Sequence, residues 1–182
     1  IYDACTGTIG QYSHALTGLR NLVSAGHRVT INCVVNALNI GHLDDYLKEL
    51  AHSFASNSNV DVHFSVLICP EGKPTTSELL VPYRQLATRL ESSVRLANTL
   101  GLAVQSLRSS THAAIPACML SEQTRNASPH RPRINPAETS FGDADTPWVR
   151  SLKCKNCSER ENCLGVPVPY AKRFGLDDLE PV

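Results

Sequence analysis

Val29-Thr-Ile-Asn-Cys-Val-Val35, Asn36-Ala-Leu-Asn-Ile-Gly41, Leu43-Asp-Asp-Tyr-Leu-Lys-Glu-Leu-Ala-His-Ser-Phe54 and Val60-Asp-Val-His-Phe-Ser-Val-Leu-Ile68 follow one another and decide the fold. Val29, Ile31, Cys33 and Val35 alternate, and Val34 adds apolar character on the other face. Arg28 to Val35 therefore reads as a largely buried strand of parallel type. Asn36 to Gly41 is its loop. Leu43, Tyr46, Leu47, Leu50, Ala51 and Phe54 share one helical face, and Asp44 and Asp45 sit in the first turn, where carboxylates favour the positive helix end. Val60, Val62, Phe64 and Val66, then Leu67 and Ile68, make a second buried strand that stops at Pro70 and Gly72.

Outward from this core the pattern repeats. Upstream, Tyr12, Ala15, Leu16, Leu19, Leu22 and Val23 form the single stripe of an amphipathic helix that Gly26 ends. Downstream, Leu79, Tyr83, Leu86, Leu90, Val94 and Ala97 recur at helical spacing. Pro82 fits only in the first turn, so the helix proper begins there, and Gly101 ends it before a short strand, Ala103 to Leu107. Strands regularly separated by helices imply parallel pairing, in an open doubly wound sheet or a wall of a (β/α) barrel.

After Leu107 the composition changes. Five prolines and many Ser, Thr and Asn lie between Arg108 and Trp148, with no apolar periodicity. The reading is an α/β unit over 1–107, a loop-rich connector over 108–148 and a Cys-rich, mostly irregular segment over 149–182. The chain has 182 residues, 42% hydrophobic and 19% charged, with 17 basic against 17 acidic side chains. No clustered cationic excess marks a nucleic-acid surface, no apolar run approaches the roughly 20 residues a bilayer demands, and no secretory signal opens the chain. The expectation is a cytoplasmic protein with neither nucleic-acid nor membrane partner.

Seven cysteines are the outlying count. In a reducing cytosol they point to metal rather than disulfides. Cys154-Lys-Asn-Cys157, with Cys163 after five more residues, has the spacing of a metal knuckle, because the turn between two such thiolates directs both sulfurs inward. A four-thiolate set then needs an upstream ligand, and Cys118 in Ile115-Pro-Ala-Cys118 is the nearest. Zinc and iron-sulfur both accept such a set. His112 and His130 are alternative zinc ligands. Cys33 reads as a small core hydrophobe, and nothing around Cys5 indicates a role. Cys69 lies at a strand C-terminus, where α/β proteins bind ligands. It makes a poor nucleophile, since His63, the nearest histidine in sequence, is roughly 20 Å away along an extended strand. In the loops after the strands, Asn36 and Asn39 can hydrogen-bond a ribose, carboxylate or amide, Asn39 is also a candidate helix cap, and Glu71 is a candidate base. No phosphate loop, nucleophile elbow or His-Glu-x-x-His helix is present.

Tyr2-Asp3 through Gly7-Thr-Ile-Gly10, then Leu16-Thr-Gly18-Leu-Arg-Asn-Leu22, Ala25-Gly26, Val29 to Val35 and Asn39 resemble the second half of a radical S-adenosylmethionine (SAM) enzyme barrel. Cys154-x2-Cys157-x5-Cys163-Leu-Gly165-Val, then Tyr170, Phe174-Gly175, Leu179 and Pro181, resemble the auxiliary-cluster segment of members related to the SPASM and twitch types, and Cys118 resembles their upstream cysteine. The resemblance implies a partial, TIM-like (β/α) barrel with Asn36 or Asn39 near bound SAM. It also implies an auxiliary 4Fe-4S cluster on Cys118, Cys154, Cys157 and Cys163. A 5'-deoxyadenosyl radical would abstract hydrogen from a peptide or small-molecule substrate, with a flavodoxin or ferredoxin as reductant. The Cys-x3-Cys-x2-Cys motif of the catalytic cluster is absent, and the chain opens at Ile1 without Met. The expectation is the C-terminal part of a longer enzyme, inactive by itself. The alternative is a non-catalytic α/β binding module with a zinc-stapled tail.

Overall fold

The computed structural model describes residues 1–69, 77–105, 107, 115–127 and 147–182. Glu71, His112, His130 and most of the 108–148 connector lie outside these residues.

Side chains alternate across a strand, so the odd residues of β1 (Val29–Val35) and the even residues of β2 (Val60–Val66) share one face. The two strands pair in parallel, Val29 opposite Val60 through Val35 opposite Val66. β3 (Ala103–Val104) adds in parallel on the far side of β2, giving the order β1-β2-β3. α3 (Leu43–Phe54) connects β1 to β2, and α4 (Tyr83–Thr99) lies between β2 and β3. Val60, Val62, Phe64 and Val66 are buried in one cluster with Leu43, Leu47, Leu50 and Phe54 of α3 and Leu86, Ala87, Leu90 and Ala97 of α4. Each fully buried aliphatic or aromatic side chain contributes about 1.5–3 kcal/mol. Arg89 of α4 ties the two helices at their surface, reaching Asp44 at 3.0 Å and the carbonyl of Ile40 at 3.1 Å.

The α/β expectation with parallel strands holds. The described strands form an open three-stranded sheet and close no barrel. β2 ends at Val66, two residues early, although Leu67 still donates to the carbonyl of Val35 at 3.2 Å. β3 is shorter than expected, with one further ladder bond from Gln105 to Val62. α4 starts at Tyr83 directly after Pro82 and is followed by Gly101 at φ +74°, as its sequence signals indicate. α2 (Tyr12–Ser24) is present, with Leu16, Leu19 and Val23 against the core. α1 (Tyr2–Thr6) was not expected, because one turn is too short to show periodicity. Asp3 holds the turn after it, accepting from the N–H of Gly10 at 2.6 Å and of Gln11 at 3.3 Å and from the Thr8 hydroxyl at 3.0 Å.

The C-terminal segment has more regular structure than its composition suggests. After α5 (Glu122–Ala127), β4 (Trp148–Val149) and β5 (Val166–Pro167) pair antiparallel, and α6 (Val168–Phe174) follows with a proline in its first turn. Val166, Tyr170 and Leu179 belong to the same hydrophobic cluster as the sheet and its helices. No described helix is long and apolar enough to cross a membrane.

Candidate metal centre

The β4–β5 ribbon pins the two ends of a loop that carries three cysteines. Within it, residues Leu152–Asn156 form a 3₁₀ turn whose start is capped by the Ser151 side chain, which accepts from the N–H of Lys153. Three residues per turn place positions i and i+3 one above the other, so Cys154 and Cys157 face the same way. This is the physical content of the two-residue spacing. A second 3₁₀ turn, Arg160–Asn162, leads to Cys163. Gly165 then doubles back with φ +91°, and a Cβ there would run into the carbonyl oxygen of Val149. Only glycine combines that φ with that approach.

Cys118 arrives from elsewhere, on the Ala117–Met119 turn, whose Ala117 is buried. Cys118, Cys154, Cys157 and Cys163 line one cavity, whose wall also includes Arg150, Arg160, Glu159, Gly165 and the apolar Pro116, Ala117 and Leu179. The cavity between them has a volume of about 20 Å³. All four thiols are free of disulfides. The four cysteines singled out by spacing are thus brought together.

The surroundings of the sulfurs suit thiolate ligation. Gly165 N–H donates to Cys163 Sγ at 3.3 Å, and the backbone of Glu180 does the same for Cys118. Burial pushes the Cys163 thiol up, against the Gly165 N–H and the Arg150 guanidinium, while Cys157 and Cys154 push it further up. Burial is also the first cause of the raised Cys118 thiol, and the other three sulfurs add to it. Both shifts favour the neutral thiol, so a metal group would have to displace the protons. Arg150 reaches the carbonyl of Cys163 through Nε at 2.9 Å and through its second nitrogen at 2.5 Å, and Arg160 reaches the carbonyl of Cys154 at 3.2 Å. Neither arginine was singled out from the sequence, where each resembles an ordinary surface charge. Four cysteines are a donor set that zinc and iron-sulfur groups both accept. Among the described residues, no three His, Cys, Asp or Glu side chains are gathered tightly enough to hold a single ion.

Asn36 and Asn39 sit together after β1, where they brace the loop. The Asn36 N–H donates to Asn39 Oδ1 at 2.9 Å, and Asn39 Nδ2 donates to the carbonyl of Val34 at 2.9 Å. Asn36 is buried, with Oδ1 accepting from the Leu38 N–H at 2.9 Å and Nδ2 donating to Val34 O at 3.3 Å and to Cys5 Sγ at 3.7 Å. Asn39 precedes the Ile40–His42 turn without capping it through its side chain. Cys69 is buried at 2% exposure.

β2 is buried on both faces, as its sequence indicates, and its second face carries polar groups. Ser65 Oγ meets Asn32 Oδ1 at 2.6 Å, and Gln105 Nε2 donates to Asp61 Oδ1 at 2.7 Å and Thr30 Oγ1 at 3.3 Å. Asp61, His63 and Ser65 in alternation were the available signal.

No protein-family model matches this chain, and neither the curated proteins nor the solved structures include a match.

Proposed function

We propose that the C-terminal segment holds a 4Fe-4S cluster on Cys118, Cys154, Cys157 and Cys163, and that the chain serves a radical SAM enzyme as part of its barrel and its auxiliary-cluster site. The observation that carries this reading is the meeting of four cysteines, drawn from two separate stretches of chain, around one cavity. Zinc and iron-sulfur both accept such a set, and metal loading separates them. In such an enzyme the catalytic cluster and SAM supply a 5'-deoxyadenosyl radical that takes hydrogen from a substrate, and the protein binds, orients and excludes water.

The chain's own residues have definable parts in this. Arg150 and Arg160 hold the carbonyls of two ligating residues and place positive charge beside an anionic thiolate set. Gly165 and Glu180 direct backbone N–H groups at sulfur. The parallel sheet supports the barrel reading: its apolar face lies under α3 and α4, and its hydrogen-bonded polar face is the one a barrel would turn inward toward a polar substrate and SAM. Four protein thiolates satisfy all four irons, which suits electron transfer or bracing rather than direct ligation of substrate.

Anaerobic addition of iron and sulfide tests the site. The expected product is brown, with about four irons per chain. A colourless protein that instead takes up one zinc at full occupancy overturns the cluster and favours the zinc-stapled binding module. The enzyme reading is tested separately, by looking for a Cys-x3-Cys-x2-Cys motif encoded upstream and for release of 5'-deoxyadenosine from SAM by the protein containing it.

A further inference from the structure

We propose that residues 179–182 form a strap that closes the cavity of four cysteines and sets the rate at which a metal group enters and leaves it, an inference that rests on those cysteines being one metal site. The strap begins beyond α6. Gly175 turns the chain out of that helix at φ +77° and ψ −167°, a conformation that glycine adopts readily, and Leu176 then packs against the core. The Leu179 N–H closes a turn onto the Leu176 carbonyl at 3.1 Å, and the residues after it cross the cysteine loop.

Four residues there touch both stretches of chain that furnish the thiols. Leu179 is 3% exposed and belongs to the cavity wall. The backbone N–H of Glu180 donates to Cys118. Two residues on, the Val182 carbonyl oxygen accepts from Ser158, through its N–H at 2.8 Å and its hydroxyl at 2.6 Å. Ser158 directly follows Cys157. The strap therefore bridges the Cys118 turn and the Cys154–Cys157 turn. Just upstream, Lys153 Nζ donates to the Asp177 carbonyl at 3.1 Å, tying the root of the strap to the residue before Cys154.

These holds are few. Of the four residues only Leu179 is buried, while Glu180 and Pro181 are exposed, and no described helix or strand runs beyond Phe174. Segments with one buried side chain and solvent-exposed hydrogen bonds open locally at lower free energy than the core they lie on. Among the described residues, every other member of the cavity wall lies at 116–118 or between Arg150 and Gly165, in the stretches that carry the cysteines themselves. The strap is thus the part of the wall that can move while the thiols stay in place.

The test uses the full chain after anaerobic loading with iron and sulfide and follows the loss of its visible absorption in excess EDTA. Ser158→Ala removes one of the two bonds to Val182 at an exposed position and is expected to speed the loss roughly fivefold. Leu179→Ala is expected to speed it by roughly tenfold or more. Iron per chain at saturation stays as in the wild type. Alkylation of the metal-free chain, with each cysteine followed by mass spectrometry, is the second readout. Cys118 and Cys163 react faster in Ser158→Ala, while the core-packed Cys33 and the buried Cys69 keep their wild-type rates. Wild-type rates of metal loss in both variants overturn the strap while leaving the cluster in place. So does equal acceleration at Cys33 and Cys69 in Ser158→Ala, since the segment then opens only with the whole core. A wild-type protein that takes up no metal overturns the site reading on which the strap's role rests, and this is seen at loading, before any variant is compared.

Discussion

The rings of Tyr83 and Tyr170 stack with centroids 4.1 Å apart and planes 13° from parallel, and the Tyr170 hydroxyl accepts the backbone N–H of Tyr83 at 2.8 Å. That N–H is the first of α4 and has no partner inside the helix. The contact joins the Cys-rich segment to the α/β unit across 87 residues of sequence. Tyr170→Phe keeps the stack and removes the acceptor from a buried donor. The expected loss is about 1–3 kcal/mol, read as a lower urea midpoint with an unchanged slope. An unchanged midpoint would mean the bond contributes nothing.

Ligand substitutions are expected to separate the seven cysteines into two groups. Cys118→Ser and Cys154→Ser are expected to lose iron and sulfide uptake, because each removes one of the four proposed ligands from a shared cavity. Cys33→Ala keeps it, since Cys33 packs against the core under the sheet. Iron and sulfide analysis of the three variants decides the matter, and normal loading of Cys118→Ser would detach that residue from the site.

Gly165→Ala tests the return of the loop. The new Cβ meets the Val149 carbonyl at a φ that L side chains rarely adopt. The cost should exceed the ~1–3 kcal/mol of backbone strain alone, because β4 and β5 must also part. The Gly165 N–H bond to Cys163 Sγ goes with them. Lower thermal stability together with weaker cluster retention is the expected pair of results, and retention at wild-type level would show that the ribbon is dispensable.

Thiol labelling is expected to follow burial and pH. Burial pushes the Cys33 thiol up to about 12, with a smaller contribution from Cys5, whereas Cys5 itself is exposed. At pH 8 only about one Cys33 in ten thousand is thiolate, the reactive form. Its labelling rate should therefore rise about tenfold per pH unit up to that pKa, while Cys5 is modified first. Mass spectrometry of protein alkylated at a series of pH values reads both. Equal rates for the two at pH 8 would contradict the buried position.

Periodicity made the sheet and its helices legible, because Leu43, Leu47, Leu50 and Phe54 can be buried only on one side of one helix. It failed where elements are one turn or two residues long, as in α1 and β4, and overran the end of β3. The thiolate set was legible in part for a different reason. The Cys154–Cys157 spacing encodes a 3₁₀ turn locally, but Cys118 joins it only through tertiary packing of its own turn. Arg150 and Arg160 left no local trace, since what distinguishes them is which carbonyl each reaches. Asn36 and Asn39 were legible as polar loop residues. Their mutual hydrogen bonding, which braces the loop, depends on a backbone conformation that residue type alone does not specify.

The shared core gives the thiolate site a reach beyond its own loop. Val166, Tyr170 and Leu179 pack in the same cluster as Leu86, Leu90 and Phe64. A group that binds only the folded state lowers that state's free energy by an amount that grows with its affinity, so the cluster proposed for the four cysteines would stabilise α4 and the sheet as well as the tail. Its loss, to oxygen or to a chelator, would raise the population of opened chain throughout the described core.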